Sequence, residues 1–180
     1  MNETRPSFWE VTFKTTIAHT VTYFVLGLLA SVIFDYGTLY STTQLKFLMR
    51  QTTEPLVMAG PLFQPLRGFL FGIVFYLLRG SIFDRTFGWL VLWITLLVIG
   101  VFNTFGPTPG SIEGAVYTVV PLAVQLEGLP EVVIQTLLLS LILSWWVGPR
   151  RKTWLTWVMG VAFVITILLP ILGLVMRGAA

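Results

Sequence analysis

The sequence predicts an all-α, polytopic membrane helix bundle, one transmembrane domain over residues 1–180. Three observations carry that prediction. The chain is 56% hydrophobic and only 11% charged, where an ordinary soluble domain has about 25% charged residues. One small core cannot hide so much apolar surface, so lipid must cover it. Charge-free stretches also recur at the length of a membrane crossing. The clearest, Thr15 to Phe34, lies between Lys14 and Asp35 and matches a hydrocarbon core of about 30 Å at about 1.5 Å per residue. Finally, Trp9, Trp89, Trp145, Trp146 and Trp154 stand at the ends of such stretches, where an amphipathic indole suits the membrane–water boundary.

The elements follow in order. The start, MNETRPSFWEVTFK, lacks the basic end, immediate apolar run and small-residue cleavage site of a secretory signal, so the first helix is expected to stay in place. Residues 35–57 form a partly interfacial connector. There Leu45, Phe47, Leu48 and Met49 alternate with Lys46 and Arg50, which predicts a surface amphipathic helix. Pro55, Pro61 and Pro65 punctuate the approach to a second span, Met58 to Arg79. Arg67 lies near its start, where a guanidinium can reach the headgroups. Ser81 and Asp84 have the spacing of a capping box for a third helix, Arg85 to Phe102, with Trp89 and Trp93 on one face.

Residues 103–130 are a broken segment. In VFNTFGPTPGSIEGAVYTVVP, residues 101–121, glycine and proline end the third span. Ser111 is placed to cap a short helix with Glu113 in its first turn, and EGLP at 127–130 breaks the chain again. Spans from Pro130 to Val147 and from Thr153 to Met176 complete the chain, with Pro170 as a late kink.

Charge sets the topology. If residues 112–126 dip in and return, there are five full spans plus a re-entrant or half helix. Arg5, Lys14, Arg79, Arg85, Arg150, Arg151 and Lys152 then share the side of the N-terminus, against Lys46, Arg50, Arg67 and Arg177 on the other. That bias obeys the positive-inside rule. The alternative, six spans, moves the basic triplet across and loses the bias. The expected localisation is a bacterial cytoplasmic membrane, N-terminus cytoplasmic.

Several function classes are excluded or disfavoured. Without cysteine there is no disulfide, thiolate site or cysteine nucleophile. One histidine, His19, rules out any site needing two imidazoles; no metal or other cofactor is expected. The net charge of +3, with no long basic run, gives no footprint for nucleic acid. No nucleotide-binding glycine motif or serine-hydrolase elbow occurs, and no catalytic residue is assigned. The polar groups within or beside the spans remain. Glu131 and Gln135 share a helix face at a spacing of four. With Arg67, Glu113 and Glu127 they form the expected pocket or ion-binding set, while His19 is a helix–helix hydrogen-bonding group, a relay or an axial ligand, the last a weak signal from one imidazole without a partner ligand. A weak echo between residues 60–75 and 106–121 sets Arg67 in one copy against Glu113 in the other. It predicts a pairing of the two, beside a half-buried helix lining a single polar pocket.

The expected function is therefore a small non-enzymatic transporter, channel or binding protein with its pocket toward the outer half of the membrane. The partners expected are the lipid bilayer and a polar small molecule, ion or lipid headgroup. One alternative is an accessory or assembly subunit without its own site, bound to a membrane-protein partner or to itself. An intramembrane lipid-modifying enzyme is the third reading.

Overall fold

Ser7 opens the first helix by accepting a hydrogen bond from the Glu10 amide at 3.2 Å. The resulting α1 (Phe8–Ile33) runs for 26 residues, about 39 Å at the α-helical rise. The computed structural model describes residues 5–147 and 152–178, and all regular structure among them is helical. The sequence-predicted turn at Gly148–Lys152, with Arg150 and Arg151, lies almost wholly outside the described residues.

After α1 the chain turns at Asp35, whose φ of 44° is left-handed, a conformation a short polar side chain tolerates. Its carboxylate accepts from the Thr38 amide at 3.3 Å and caps α2 (Tyr36–Thr42). The expected amphipathic helix over 45–50 does not form. Ser41, Thr42 and Thr43 turn their hydroxyls onto carbonyls three or four residues back, and such back-bonding favours helix ends. A 3₁₀ turn, Gln44–Phe47, follows.

Next come α3 (Pro55–Met58), α4 (Gly60–Leu77), α5 (Arg79–Ile82) and α6 (Gly88–Leu97), the last continuing as a π-helical turn, Val98–Phe102. The capping box is not made: Ser81 is inside α5, and Asp84 instead pairs with Arg5 at 3.3 Å. The third long helix accordingly starts at Gly88 rather than Arg85. Beyond it lie α7 (Ile112–Tyr117), α8 (Leu122–Glu127), α9 (Leu129–Trp146) and α10 (Thr153–Gly178). The expected break at EGLP is reduced to a one-residue interruption at Gly128, between α8 and α9. Gly128 is right-handed helical (φ −82°, ψ −13°), and Pro130 sits in the first turn of α9, where its missing amide costs nothing. The wider break falls at residues 118–121, between α7 and α8. The echo has no structural counterpart: residues 60–75 are continuous helix, whereas 106–121 are a loop and one six-residue helix.

The bundle is organised around α1, which packs on α4, α9 and α10, while α6 packs on α9. The α1–α4 contact is the closest. A Cβ placed on Gly68 or Gly72 would lie 2.8 Å from the Thr16 Cα or 2.7 Å from the Thr12 Cα. Gly68-x-x-x-Gly72 thus lets two backbones touch, as small-residue motifs do in membranes. Beside this contact lies the core: Val11, Ala18, Phe75, Ile82, Leu92, Leu139, Leu143, Trp146 and Met159, with Leu155. Lys14 locks that end of the bundle. Its ammonium pairs with Glu10 at 2.7 Å and donates to the terminal Trp146 carbonyl of α9 at 2.9 Å, a cation at a helix C-terminus.

The surface is the inverse of a soluble protein's. Thr12, Thr15, Thr20 and Ser140 are wholly buried, while Val32, Ile33, Leu66, Trp157 and Val175 are each more than 60% exposed. Three helical stretches are long and apolar enough to cross a membrane: α1, the run Leu122–Trp146 through α8 and α9, and α10. Only 17% of the apolar window of α10 is buried; water would not tolerate so much exposed hydrocarbon, and lipid does.

Candidate functional site

The chain directions place the ends of α1 and α10 beside the starts of α4 and α9. At this end the packing opens. Tyr23 from α1, Tyr36 and Tyr40 from α2, and Glu131 from the first turn of α9 line a cavity of about 500 Å³, closed on one flank by Leu169, Pro170 and Gly173 of α10. A second cavity, about 340 Å³, shares Tyr36, Tyr40, Met49 and Glu131 and adds Arg67 and Gln125. Both volumes lie in the range of small-molecule sites, about 300–1,000 Å³.

The wall between them is a hydrogen bond. Tyr36 reaches across 95 positions of sequence to donate its hydroxyl to Oε2 of Glu131. Gly27 of α1 faces the other carboxylate oxygen; a Cβ there would meet Oε1 at 3.5 Å. The Tyr36 and Tyr40 rings stack with centroids 5.0 Å apart. Burial first, and the nearby Glu131 charge second, raise the Tyr40 phenol to about 12. Burial, followed by the bond to Glu131, also raises that of Tyr36. Both phenols therefore remain neutral hydrogen-bond donors throughout the physiological range.

Arg67 stands on the opposite side of the second cavity, its guanidinium 5.5 Å from the centre of the Phe71 ring. Among the described residues the ion pairs are Arg5–Asp84, Lys14–Glu10 and Arg50–Glu54. The expected Arg67–Glu113 pair is thus not formed. Glu113 and Glu127 are both exposed and line neither cavity. Glu113 does occupy the first turn of α7, as its spacing predicts: Ser111 caps that helix, accepting from the Gly114 amide at 2.9 Å. Of the expected pocket residues, Arg67 and Glu131 line a common cavity. Gln135, one turn further along α9, is buried but lines neither cavity.

His19 takes the helix–helix role. Its Nε2 lies 3.2 Å from Oε1 of Gln64 on α4, and Gln64 turns its amide nitrogen to the Gly60 carbonyl at 3.4 Å. That orientation presents the Gln64 oxygen to the ring, so Nε2 carries the hydrogen and Nδ1 is a buried acceptor with no partner. A layer of buried polar groups, including Thr20, Thr22, Gln64, Gln135 and Thr166, accompanies it.

The residue most easily missed in sequence is Gln125. It is 4% exposed and holds the broken segment together. Its oxygen accepts from the Gly110 amide at 3.1 Å, and its nitrogen donates to the Val120 carbonyl at 2.6 Å and approaches the Gly114 carbonyl and Thr118 hydroxyl at 3.3 and 3.2 Å. Gly110 has a φ of +90°, and a Cβ on Gly114 would fall 2.0 Å from the Thr108 carbonyl oxygen. The surrounding apolar side chains face outward: Phe105, Val116, Tyr117 and Val119 are all more than 60% exposed. The segment thus keeps its amides bonded inside and its hydrocarbon outside, an arrangement that suits apolar surroundings. Comparison with known proteins brings no relative to this fold: no family model, curated protein or solved structure matches the chain. The site must be read from its own chemistry.

Proposed function

We propose that this is an integral membrane protein of five helical crossings that binds a small polar or amphiphilic molecule at its hollow end, and that it serves as a transporter or binding protein. The crossings are α1, α4, α6 with its π turn, α8 with α9, and α10. Segment 103–121, including α7 at about 9 Å, stays at the end where α6 finishes. The positive-inside bias puts that end, and the site, on the outer side. The observation that carries the reading is the Tyr36–Glu131 bond standing in the common wall of two cavities. A carboxylate, neutral phenols and Arg67 converge there on space large enough for a ligand, as in sites near helix starts in transporters.

The absence of cysteine makes the test direct, because each single substitution provides a unique thiol. Gly27→Cys and Gly173→Cys place it in the larger cavity; Val161→Cys and Val164→Cys place it on the exposed face of α10. In intact cells or oriented vesicles, a membrane-impermeant thiosulfonate is expected to label the two cavity thiols from the side that labels Thr53→Cys, opposite to that of Thr86→Cys, and to spare the two α10 positions. Silent cavity thiols in a protein whose Thr53→Cys variant reacts would defeat the ligand-site reading.

A further inference from the structure

We infer that the larger cavity is a site for an organic cation, an amphiphilic amine or quaternary ammonium, with Glu131 as counter-ion and Tyr23, Tyr36 and Tyr40 as its aromatic surround. The inference rests on the proposed ligand site and names its substrate class.

Sign comes first. The residues lining this cavity include one carboxylate and no lysine or arginine. Glu131 is partly buried and makes no ion pair within 4 Å of a described cation. A carboxylate withdrawn from water needs compensation, and Tyr36 supplies one hydrogen bond rather than a charge. Arg67 shares the adjoining cavity with Glu131 but forms no ion pair with it, and the cations at the rim are otherwise engaged. Arg67 lies against Phe71. At the rim, Arg177 donates to the Thr53 carbonyl and lies 3.4 Å from the Met58 sulfur, and Arg50 pairs with Glu54 at 2.9 Å.

Shape and wall chemistry then select the kind of cation. A bare metal ion demands about six or more oxygen ligands for calcium or magnesium, and no group of three or more acidic, histidine or cysteine side chains suited to a metal occurs among the described residues. Apart from Ser31 and Thr52 the remaining side chains of the wall are apolar, including Phe24, Leu28, Met58 and Leu169, which suits the body of an organic ion. Neutral tyrosine rings attract ammonium groups through their faces, most strongly where water is excluded. The cavity, at about 500 Å³, takes such an ion with its substituents.

The probe is benzyltrimethylammonium, with benzyl alcohol as the uncharged comparison and sodium chloride as the simple-ion control. Its readout is protection of Gly27→Cys against thiosulfonate labelling by the full-length protein in nanodiscs. Benzyltrimethylammonium is expected to slow labelling at least tenfold at saturation, while the alcohol and sodium at equal concentration do not. Adding Glu131→Gln is expected to raise the protecting concentration at least tenfold. Tyr40→Phe keeps protection and Tyr40→Leu loses it, because the ring face matters more than the hydroxyl. Gly173→Leu, which fills the cavity without touching the carboxylate, serves as the second variant: in a protein that elutes as a single folded species it abolishes protection read at the Gly27→Cys thiol. Equal protection by benzyl alcohol, or protection indifferent to Glu131→Gln, overturns the cation assignment and leaves the ligand site standing. A Gly27→Cys thiol that never labels overturns both.

Discussion

The two ends of this bundle are made of the same few helices and behave as opposite materials. At one end α1, α4, α6, α9 and α10 close around Phe75, Leu143 and Trp146, and Lys14 ties the start of α1 to the finish of α9. At the other, the same helices part around two cavities lined by tyrosine, glutamate and arginine. The contrast follows from side-chain size and polarity along single helices. On α4, Gly68 and Gly72 allow backbone contact with α1, while Gln64 and Arg67, within one turn before them, hold the helix start to polar company. Packing supplies stability at the first end. Specific hydrogen bonds hold shape at the second, around space that packing leaves unfilled.

The contrast breaks most severely at Gly72. Gly72→Leu forces side-chain atoms into the Thr12 backbone, already 2.7 Å from an added Cβ. The expected cost is about 3 kcal/mol or more, at the top of the range for overpacking, read as loss of the folded species on heating in detergent; an unchanged melting transition would show that the α1–α4 contact is not what holds the packed end. A smaller and more local effect is expected from Gln125→Leu. It strands the buried Val120 carbonyl and Gly110 amide, each worth about 1–3 kcal/mol when left unpaired. Hydrogen exchange should quicken in residues 110–120 by the equivalent of about 2–6 kcal/mol and leave α1 and α4 unaffected; uniform acceleration would mean the two ends are one cooperative unit. The least is expected where the ends meet. A double-mutant cycle of His19→Phe and Gln64→Leu isolates a hydrogen bond between membrane helices, on average about 0.6 kcal/mol. A coupling several times larger would mark the polar layer as a structural element in its own right.

How much of this could be read from the sequence depended on whether the signal was local. Composition and span length announced a helical fold with helices long and apolar enough to cross a membrane, and Ser111 announced the start of α7, because a cap is decided within four residues. The site was legible only in part. Charge drew attention to Arg67 and Glu131, which do share a cavity, but equally to Glu113 and Glu127, which are exposed. Gln125, Tyr23, Tyr36 and Tyr40 carry no formal charge and gave no such signal; their roles depend on partners up to 95 positions away. Gly68-x-x-x-Gly72 drew no attention in the sequence, because its meaning lies in Thr12 and Thr16 on another helix. EGLP misled for the opposite reason. Glycine and proline are breakers on average, but here both hold helical geometry at the junction of α8 and α9.

The walls of the larger cavity have a consequence for biosynthesis. They are drawn from Tyr23 near the beginning of the chain through Glu131 to Gly173 near its end. Helices α1 and α4, close in sequence and joined by glycine contacts, can pair while the rest is still on the ribosome, at a synthesis rate of about 5–20 residues per second. The cavity has no such head start. Tyr36 waits until α9 delivers Glu131, and the flank is open until α10 is in place. The cavity is therefore enclosed only after α10 has been made, later than the α1–α4 contact.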